Sequence, residues 1–262
     1  MHFEVWQWLL GAVAASIIGL SKTGIPGLGV IVVSILAYAF GGWSSVGIML
    51  PMMIFADCFA VFWYHNHAQW DKLAKLFPWV AAGMVIGGIN LWIVGKDNGH
   101  KEIIDVLIAV IILAMLALHF LNKRFGDRLS PKSRIGTAST GTVAGYVTTI
   151  SNAAGPIMQL YMMAHKMKKE QFMGTIAWYF LIINVSKLPV YIVLTHLHPK
   201  SPMITSQSLL LNLALVPFIL LGVFSGKWLL HRVSQKFFEA AVLLFAGVIS
   251  LKLLLAYFGI KF

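Results

Sequence analysis

The 262-residue chain has little of what a soluble enzyme uses. Only 11% of its residues are charged, and acidic ones are scarcest, nine Asp and Glu against twenty Lys and Arg. Its single cysteine, Cys58, excludes an internal disulfide and any cysteine-based metal cluster, and leaves the compartment unread. No G-x-S-x-G elbow, H-E-x-x-H pair, phosphate-binding glycine loop or aspartate pair of the intramembrane-protease type occurs. Ser21 and Lys22 are adjacent, unlike the spaced Ser-Lys dyads of hydrolases. What abounds is apolar surface: 59% of residues are hydrophobic and mean hydropathy is +0.82, more than a soluble domain of this size hides. The chain reads as an all-α, polytopic membrane protein without a soluble catalytic domain. Its net charge of +11 is then a topology signal in the loops, not a sign of nucleic acid. Glu4 stands where a signal peptide carries a basic residue, so no cleavable leader is expected.

Apolar runs cover 5–40, 45–64, 77–95, 103–121, 135–164, 172–195, 208–230 and 237–258. Glycine and proline interrupt two of them. The first contains Gly19-Leu-Ser-Lys-Thr-Gly-Ile-Pro-Gly-Leu-Gly29 and the fifth Ser151-Asn-Ala-Ala-Gly-Pro156, where continuous helix is disfavoured. The chain also repeats itself. Adding 130 aligns Ser21 with Ser151, Lys22 with Asn152, Gly24 with Ala154, Pro26 with Pro156 and Asp57 with Lys187. Adding 134 aligns Gly88 with Gly222 and Asp105 with Glu239. Two repeats follow, 1–130 and 131–262, with the basic linker Lys123, Arg124, Arg128, Lys132 and Arg134 at the junction. Asp105 and Glu239 are expected to open their helices, offsetting the dipole.

If all eight runs cross once, the Lys and Arg outside them or at their ends divide nine to eight, with no bias. If the two broken runs are re-entrant hairpins, they divide thirteen to four, a clear cytoplasmic signal. Each repeat then holds one broken hairpin (5–40 or 135–164) plus three transmembrane helices. Three crossings per copy turn the second upside down, which makes the repeats inverted. The broken runs, 36 and 30 residues long, exceed one span and fall short of two.

Irregular backbone at membrane depth is tolerated where protein or a water-filled cavity covers it, so two such breaks point to a lined site. Helix N-termini at the two tips present N–H groups and partial positive charge, which favours an anion. Ser21, Thr23 and Ser151 offer hydroxyls, Asn152 an amide and Lys22 a full charge, with Gly24, Pro26, Ala153, Gly155 and Pro156 shaping the tips. Asp57 and Lys187 also lie deep in apolar runs, at equivalent repeat positions. They read either as a structural ion pair or as coupling residues, with Asp57 as counter-ion of Lys22, each close to the other half's hairpin. The pairs His65/His67 and His196/His198 are two apart, not three or four, and read as interfacial residues, not metal ligands. Lys252 snorkels from the last run. Eight tryptophans near run ends fit an interfacial belt.

At Gly19–Gly29, at Leu50-Pro-Met-Met-Ile-Phe-Ala-Asp57 and at Tyr64-His-x-x-x-x-Trp70, the chain resembles the TauE/SafE family, also called sulfonate uptake permeases. Ala154-Gly-Pro-Ile-Met-Gln-Leu-Tyr161 and Lys187-Leu-Pro-Val-Tyr191 resemble that family's second repeat, so the likeness spans both copies. It implies transport of sulfur-containing anions such as sulfite, thiosulfate, sulfoacetate or organosulfonates. Ser21, Lys22, Gly24, Pro26, Asp57, Gly155, Pro156 and Gln159 fall in its signature stretches. Members often carry His-Ala-Gly-Gly-Pro where this chain has Asn152-Ala-Ala-Gly-Pro. The expected function is secondary transport of a small anion in the inner cell membrane, driven by gradients and needing no cofactor, metal or nucleic acid. Oligomeric state, direction and coupling ion stay open. The rivals are a membrane-embedded enzyme acting on a lipid-borne substrate and a metal or cation transporter. The fixed charge of Lys22 speaks against the latter.

Overall fold

The structure, a computed structural model, describes residues 3–24, 28–96, 101–125 and 133–229. Among them the chain forms helices α1 (Val5–Thr23), α2 (Gly29–Phe40), α3 (Gly42–Tyr64), α4 (Trp70–Lys96), α5 (Lys101–Phe125), α6 (Arg134–Ser151), α7 (Gly155–Ala164), α8 (Lys169–Leu197) and α9 (Ser206–Leu229). A short 3-10 turn, His65–His67, joins α3 to α4. Of the described helices, α1, α3, α4, α8 and α9 are long and apolar enough to cross a membrane. The run 237–258, with Glu239 and Lys252, lies outside the described residues, as does Pro26.

Helices outrun their apolar segments where the backbone leaves hydrocarbon: α4 begins at Trp70 and includes Asp71, Lys72 and Lys75. Pro51, Pro78, Pro189 and Pro217 stand inside α3, α4, α8 and α9 without ending them. Membrane helices tolerate this because neighbouring groups satisfy the freed carbonyls. Both interrupted runs are indeed split. Helix α1 (about 28 Å) ends at Thr23 and α2 (about 18 Å) starts at Gly29, so the first break lies toward the far end of α1. In the second, Asn152 takes the left-handed conformation (φ 59°) that closes α6 before α7 begins.

Each broken segment folds back on itself. Gln7 Nε2 donates to Ala39 O at 2.7 Å and the Phe3 and Phe40 rings meet at 5.5 Å, so the two ends of α1–α2 lie side by side. The Tyr161 hydroxyl meets Thr137, which does the same for α6–α7, and donates to Lys72 O at 3.2 Å. Gly41, with φ of 76°, reverses the chain between α2 and α3, a left-handed angle that suits glycine. The following N–H, on Gly42, donates to Asp105 Oδ1. Asp105 therefore caps α3 and not its own helix, which starts four residues earlier at Lys101.

Helices α3 and α8 run antiparallel along each other. At one end Trp43 Nε1 donates to Ser201 O (2.9 Å), while at the other Gln69 N donates to Thr175 Oγ1 (2.9 Å) and Trp178 Nε1 to His65 O. The mouth of the α1–α2 hairpin thus lies at the Trp43 end and that of α6–α7 at the His65 end. His198 is buried at 8% exposure, its ring edge-on to Trp43. A Cβ on Gly95 would collide with both rings.

Two helix crossings hold this frame. Helix α1 lies parallel to α9, where Gly19 faces the backbone of Ile219 to Val223 and Gly222 faces Ser16 and Leu20. Helix α4 lies parallel to α6, where Gly83 faces Thr142 and Tyr146, and Gly145 faces Val80 and Met84. Within lipid, burying apolar side chains gives helices little reason to associate, so close backbone approach through small residues does it. Gly83-x-x-x-Gly87, Gly141-x-x-x-Gly145 and Gly222-x-x-x-Gly226 have that spacing. Gly145→Leu and Gly222→Leu should each cost about 3 kcal/mol or more by overpacking, read as a lower unfolding midpoint or lost monodisperse protein in detergent. Gly88, with only Val190 Cγ1 at 3.5 Å, should accept alanine unchanged. A wild-type midpoint for Gly222→Leu would contradict the α1/α9 crossing.

Candidate functional site

The breaks in α1–α2 and α6–α7 meet across one cavity. Ile18, Ser21 and Lys22 of α1, Gly29 and Val32 of α2, Met49, Met53 and Asp57 of α3, Asn152 after α6, Gly155 of α7, and Ile176, Ala177 and Phe180 of α8 line it. Gly29 and Gly155 are the first residues of α2 and α7, so two helix N-termini face the same space. The first-turn N–H groups of a helix have no carbonyl within it to bond, and the dipole adds partial positive charge there. The remaining wall is apolar and sulfur-rich, which keeps the local dielectric low.

One ion pair sits at this wall and one buried lysine behind it. Lys22 Nζ lies 2.8 Å from Asp57 Oδ1 and 4.0 Å above the centre of the Phe180 ring. Asn184 Nδ2 donates to Asp57 Oδ2 at 2.6 Å, so both carboxylate oxygens are engaged and the carboxylate is wholly buried. Lys187, also wholly buried, donates to Thr148 O and Thr148 Oγ1 (both 3.1 Å) and to Asn152 Oδ1. Asn152 in turn donates to Val46 O at 3.2 Å. In place of an Asp57–Lys187 ion pair, each residue binds the break of its own half: Asp57 holds Lys22, and Lys187 holds Asn152. The physical reason is reach. The offset of 130 that relates Asp57 to Lys187 also relates Lys22 to Asn152, so the helix after each hairpin leans on its own tip. Lys187 gains a second stabilisation at the C-terminus of α6, where the terminal carbonyls carry partial negative charge.

Of the other residues expected at the site, Ser21, Asn152 and Gly155 line the cavity with Lys22 and Asp57, whereas several turn away. Thr23 Oγ1 donates to Gly19 O (3.1 Å) and Val223 O (2.7 Å), serving the α1/α9 crossing, and Gly24 packs on Gly226. Ser151 Oγ donates back to Val147 O at 2.9 Å. Ala153 and Pro156 are buried in the second break and Gln159 is half-buried on α7, all three away from the cavity wall. Sequence reasoning missed Asn184, Phe180, Thr148 and Gly29. A signal for Asn184 exists: in Asn184-Val-Ser-Lys187 two polar residues stand three apart, on one face of a helix inside an apolar run.

Breaking a buried pair strands a charge. Lys22→Met and Asp57→Asn should each destabilise the protein by about 3–5 kcal/mol, and the double variant should recover most of that loss. In thermal unfolding cycles the 22/57 coupling should exceed that of 57/187, whose partners differ. A 57/187 coupling as large as the 22/57 one would show that the charges pair otherwise.

No curated protein and no solved structure matches the chain. The sequence profile described as sulfite exporter TauE/SafE matches residues 8–253, which takes in both breaks, all the cavity-lining residues, the Lys22–Asp57 pair and Lys187. Match and composition agree on a multi-pass membrane protein, and the chain belongs to the sulfite exporter TauE/SafE family of membrane transporters.

Proposed function

We propose that the protein is a secondary transporter that moves a small sulfur-containing anion, of the sulfite, thiosulfate, sulfoacetate or sulfonate class, across the inner cell membrane. The observation that carries this reading is the cavity in which a lysine and two helix N-termini converge on one apolar-walled space. An oxyanion there meets N–H donors and an ammonium group without a full desolvation penalty, while a cation meets repulsion. Substrate sulfur and oxygen sit against Met49, Met53 and Phe180, and Lys22 divides its charge between Asp57 and the anion.

Alternating access follows from an inverted pair of repeats with re-entrant hairpins. Three features support it. The equivalent helices α3 and α8 are antiparallel, the two hairpin mouths lie at opposite ends of that pair, and the α1/α9 crossing corresponds to the α6/α4 crossing under the two offsets. Rocking one repeat against the other would open the cavity to alternate faces while Lys22 and Asn152 keep their own partners. Charge supports the orientation: Lys72, Lys166, Lys168 and Lys169 gather at the end where α3 finishes, with Lys227 over the Trp63 ring at 4.4 Å, and Lys200 lies at the other end.

Two measurements test this. In a Cys58→Ser background, cysteines at 72 and 168 should label from the cytoplasmic side and one at 200 from outside. Labelling of 72 and 168 from opposite sides would remove the re-entrant plan. Isothermal titration with thiosulfate should show Lys22→Met binding at least tenfold more weakly than wild type, with Lys22→Arg less affected. An affinity within about threefold of wild type, under ~0.7 kcal/mol, would remove Lys22 from the substrate site.

A further inference from the structure

We propose that the cavity is built for one negative charge: a singly charged sulfur oxyanion binds alone, and a doubly charged one binds together with a proton that Asp57 accepts. The inference rests on the anion-transport reading and adds to it the substrate's charge and the place of a coupled proton.

The charges at the site are few and their partners are explicit. Asp57 and Lys22 neutralise each other at 2.8 Å. Lys187 spends its three donors on three oxygens, none of them a carboxylate, an arrangement that uses every N–H of an ammonium group. Around Asp57, α1 brings Lys22 and α8 brings Lys187. Lys227 of α9 lies over Trp63 and Asp105 of α5 at Gly42, both at ends of α3. Helix α2 has no charged residue, and α6 has only Arg134, at its first position. The charged side chains are therefore Lys22 and Asp57 at the cavity and, behind Asn152, Lys187, whose three oxygen acceptors hold it as the ammonium, one positive charge in excess. Its carrier, Lys187, reaches the cavity through Asn152, which lines it. A net charge at membrane depth is costly, so one bound negative charge balances the site and a second unbalances it again.

Asn184 supplies the means of absorbing that second charge. Its amide donates to Asp57 Oδ2, while its own carbonyl oxygen, on a side chain with no exposure, has no hydrogen-bond partner among the described residues. An amide has a donor and an acceptor end. Turned about its last torsion, Asn184 accepts the hydrogen of a protonated Asp57 as readily as it now donates to the carboxylate. As a dianion draws Lys22 away, Asp57 loses its counter-ion. A proton from bulk water then forms the Oδ2–H bond, the hydrogen resting on Asn184 Oδ1, and the charge of the site returns to balance.

The test counts protons by isothermal titration of the full chain, in two buffers of different ionisation enthalpy at each pH from 5 to 8. Methanesulfonate is the singly charged probe and thiosulfate the doubly charged one, because neither titrates in that range. Wild type should bind methanesulfonate with no proton taken up and thiosulfate with about one. Thiosulfate affinity should fall toward about tenfold per pH unit as pH rises. Asp57→Asn should bind thiosulfate with no proton, and Asp57→Glu should restore uptake. Thiosulfate binding to wild type without proton uptake, equal uptake with both anions, or uptake unchanged in Asp57→Asn overturns the proposal. The first two outcomes need no variant to fold. Absence of binding by both anions overturns the sulfur-anion reading itself and this inference with it.

Discussion

A charge inside a bilayer has to find its opposite or a full set of hydrogen bonds, and the arrangement of the breaks follows from how three charges meet that demand. Lys22, at the end of α1, is drawn to Asp57 on α3, which fixes where the first hairpin stops. Lys187 on α8 is drawn to Asn152 and the last carbonyls of α6, which fixes the second. Each tip is thus bound by the helix that follows its own hairpin. Across the halves, Asn184 donates to Asp57, Asn152 donates to Val46 O and Phe180 lies under Lys22.

The glycine crossings do the complementary task. Because α1 packs on α9 and α4 on α6 at backbone distance, each hairpin's long arm is bound to the opposite repeat while its tip is bound to its own. Thr23 joins the two kinds of contact. Its hydroxyl donates to Val223 O, and its carbonyl accepts from the Tyr64 hydroxyl at 3.0 Å, one residue from Lys22. The residue expected to offer a hydroxyl to substrate is instead the anchor that holds Lys22 in position.

Much of this was legible in the sequence, and the reason is periodicity. Gly and Pro inside apolar runs marked both breaks, and an ungapped offset of 130 tied Lys22 to Asn152 and Asp57 to Lys187. What the offset leaves open is which of the four touch. Positions that share an offset can touch within each half or across the two. Side-chain length and direction decide that, and neither has a period. Orientation at a tip is hidden for the same reason: Ser21, Lys22, Thr23 and Gly24 are consecutive, yet a helical rotation of about 100° per residue sends Ser21 and Lys22 to the cavity and Thr23 and Gly24 to α9. Asp105 shows the limit of local rules. Its place near a helix start suggested that it served its own dipole, and it serves the neighbouring helix's first N–H.

The two halves use the same two positions with different chemistry, and that difference is the most specific feature of the site. One half carries Lys22 and Asp57, a pair that is neutral by itself and exposes its cation to the cavity. The other carries Asn152 and Lys187, a pair with one charge in excess, which exposes an amide and keeps its cation behind. Had both halves the first arrangement, the cavity would present two lysines already satisfied by two aspartates. Had both kept the second, two unneutralised ammonium groups would face each other across an apolar space. One of each gives an ammonium group at the cavity wall and a neutral amide across from it. A fold with identical halves cannot make that combination, which requires different residues at the positions that the offset of 130 relates.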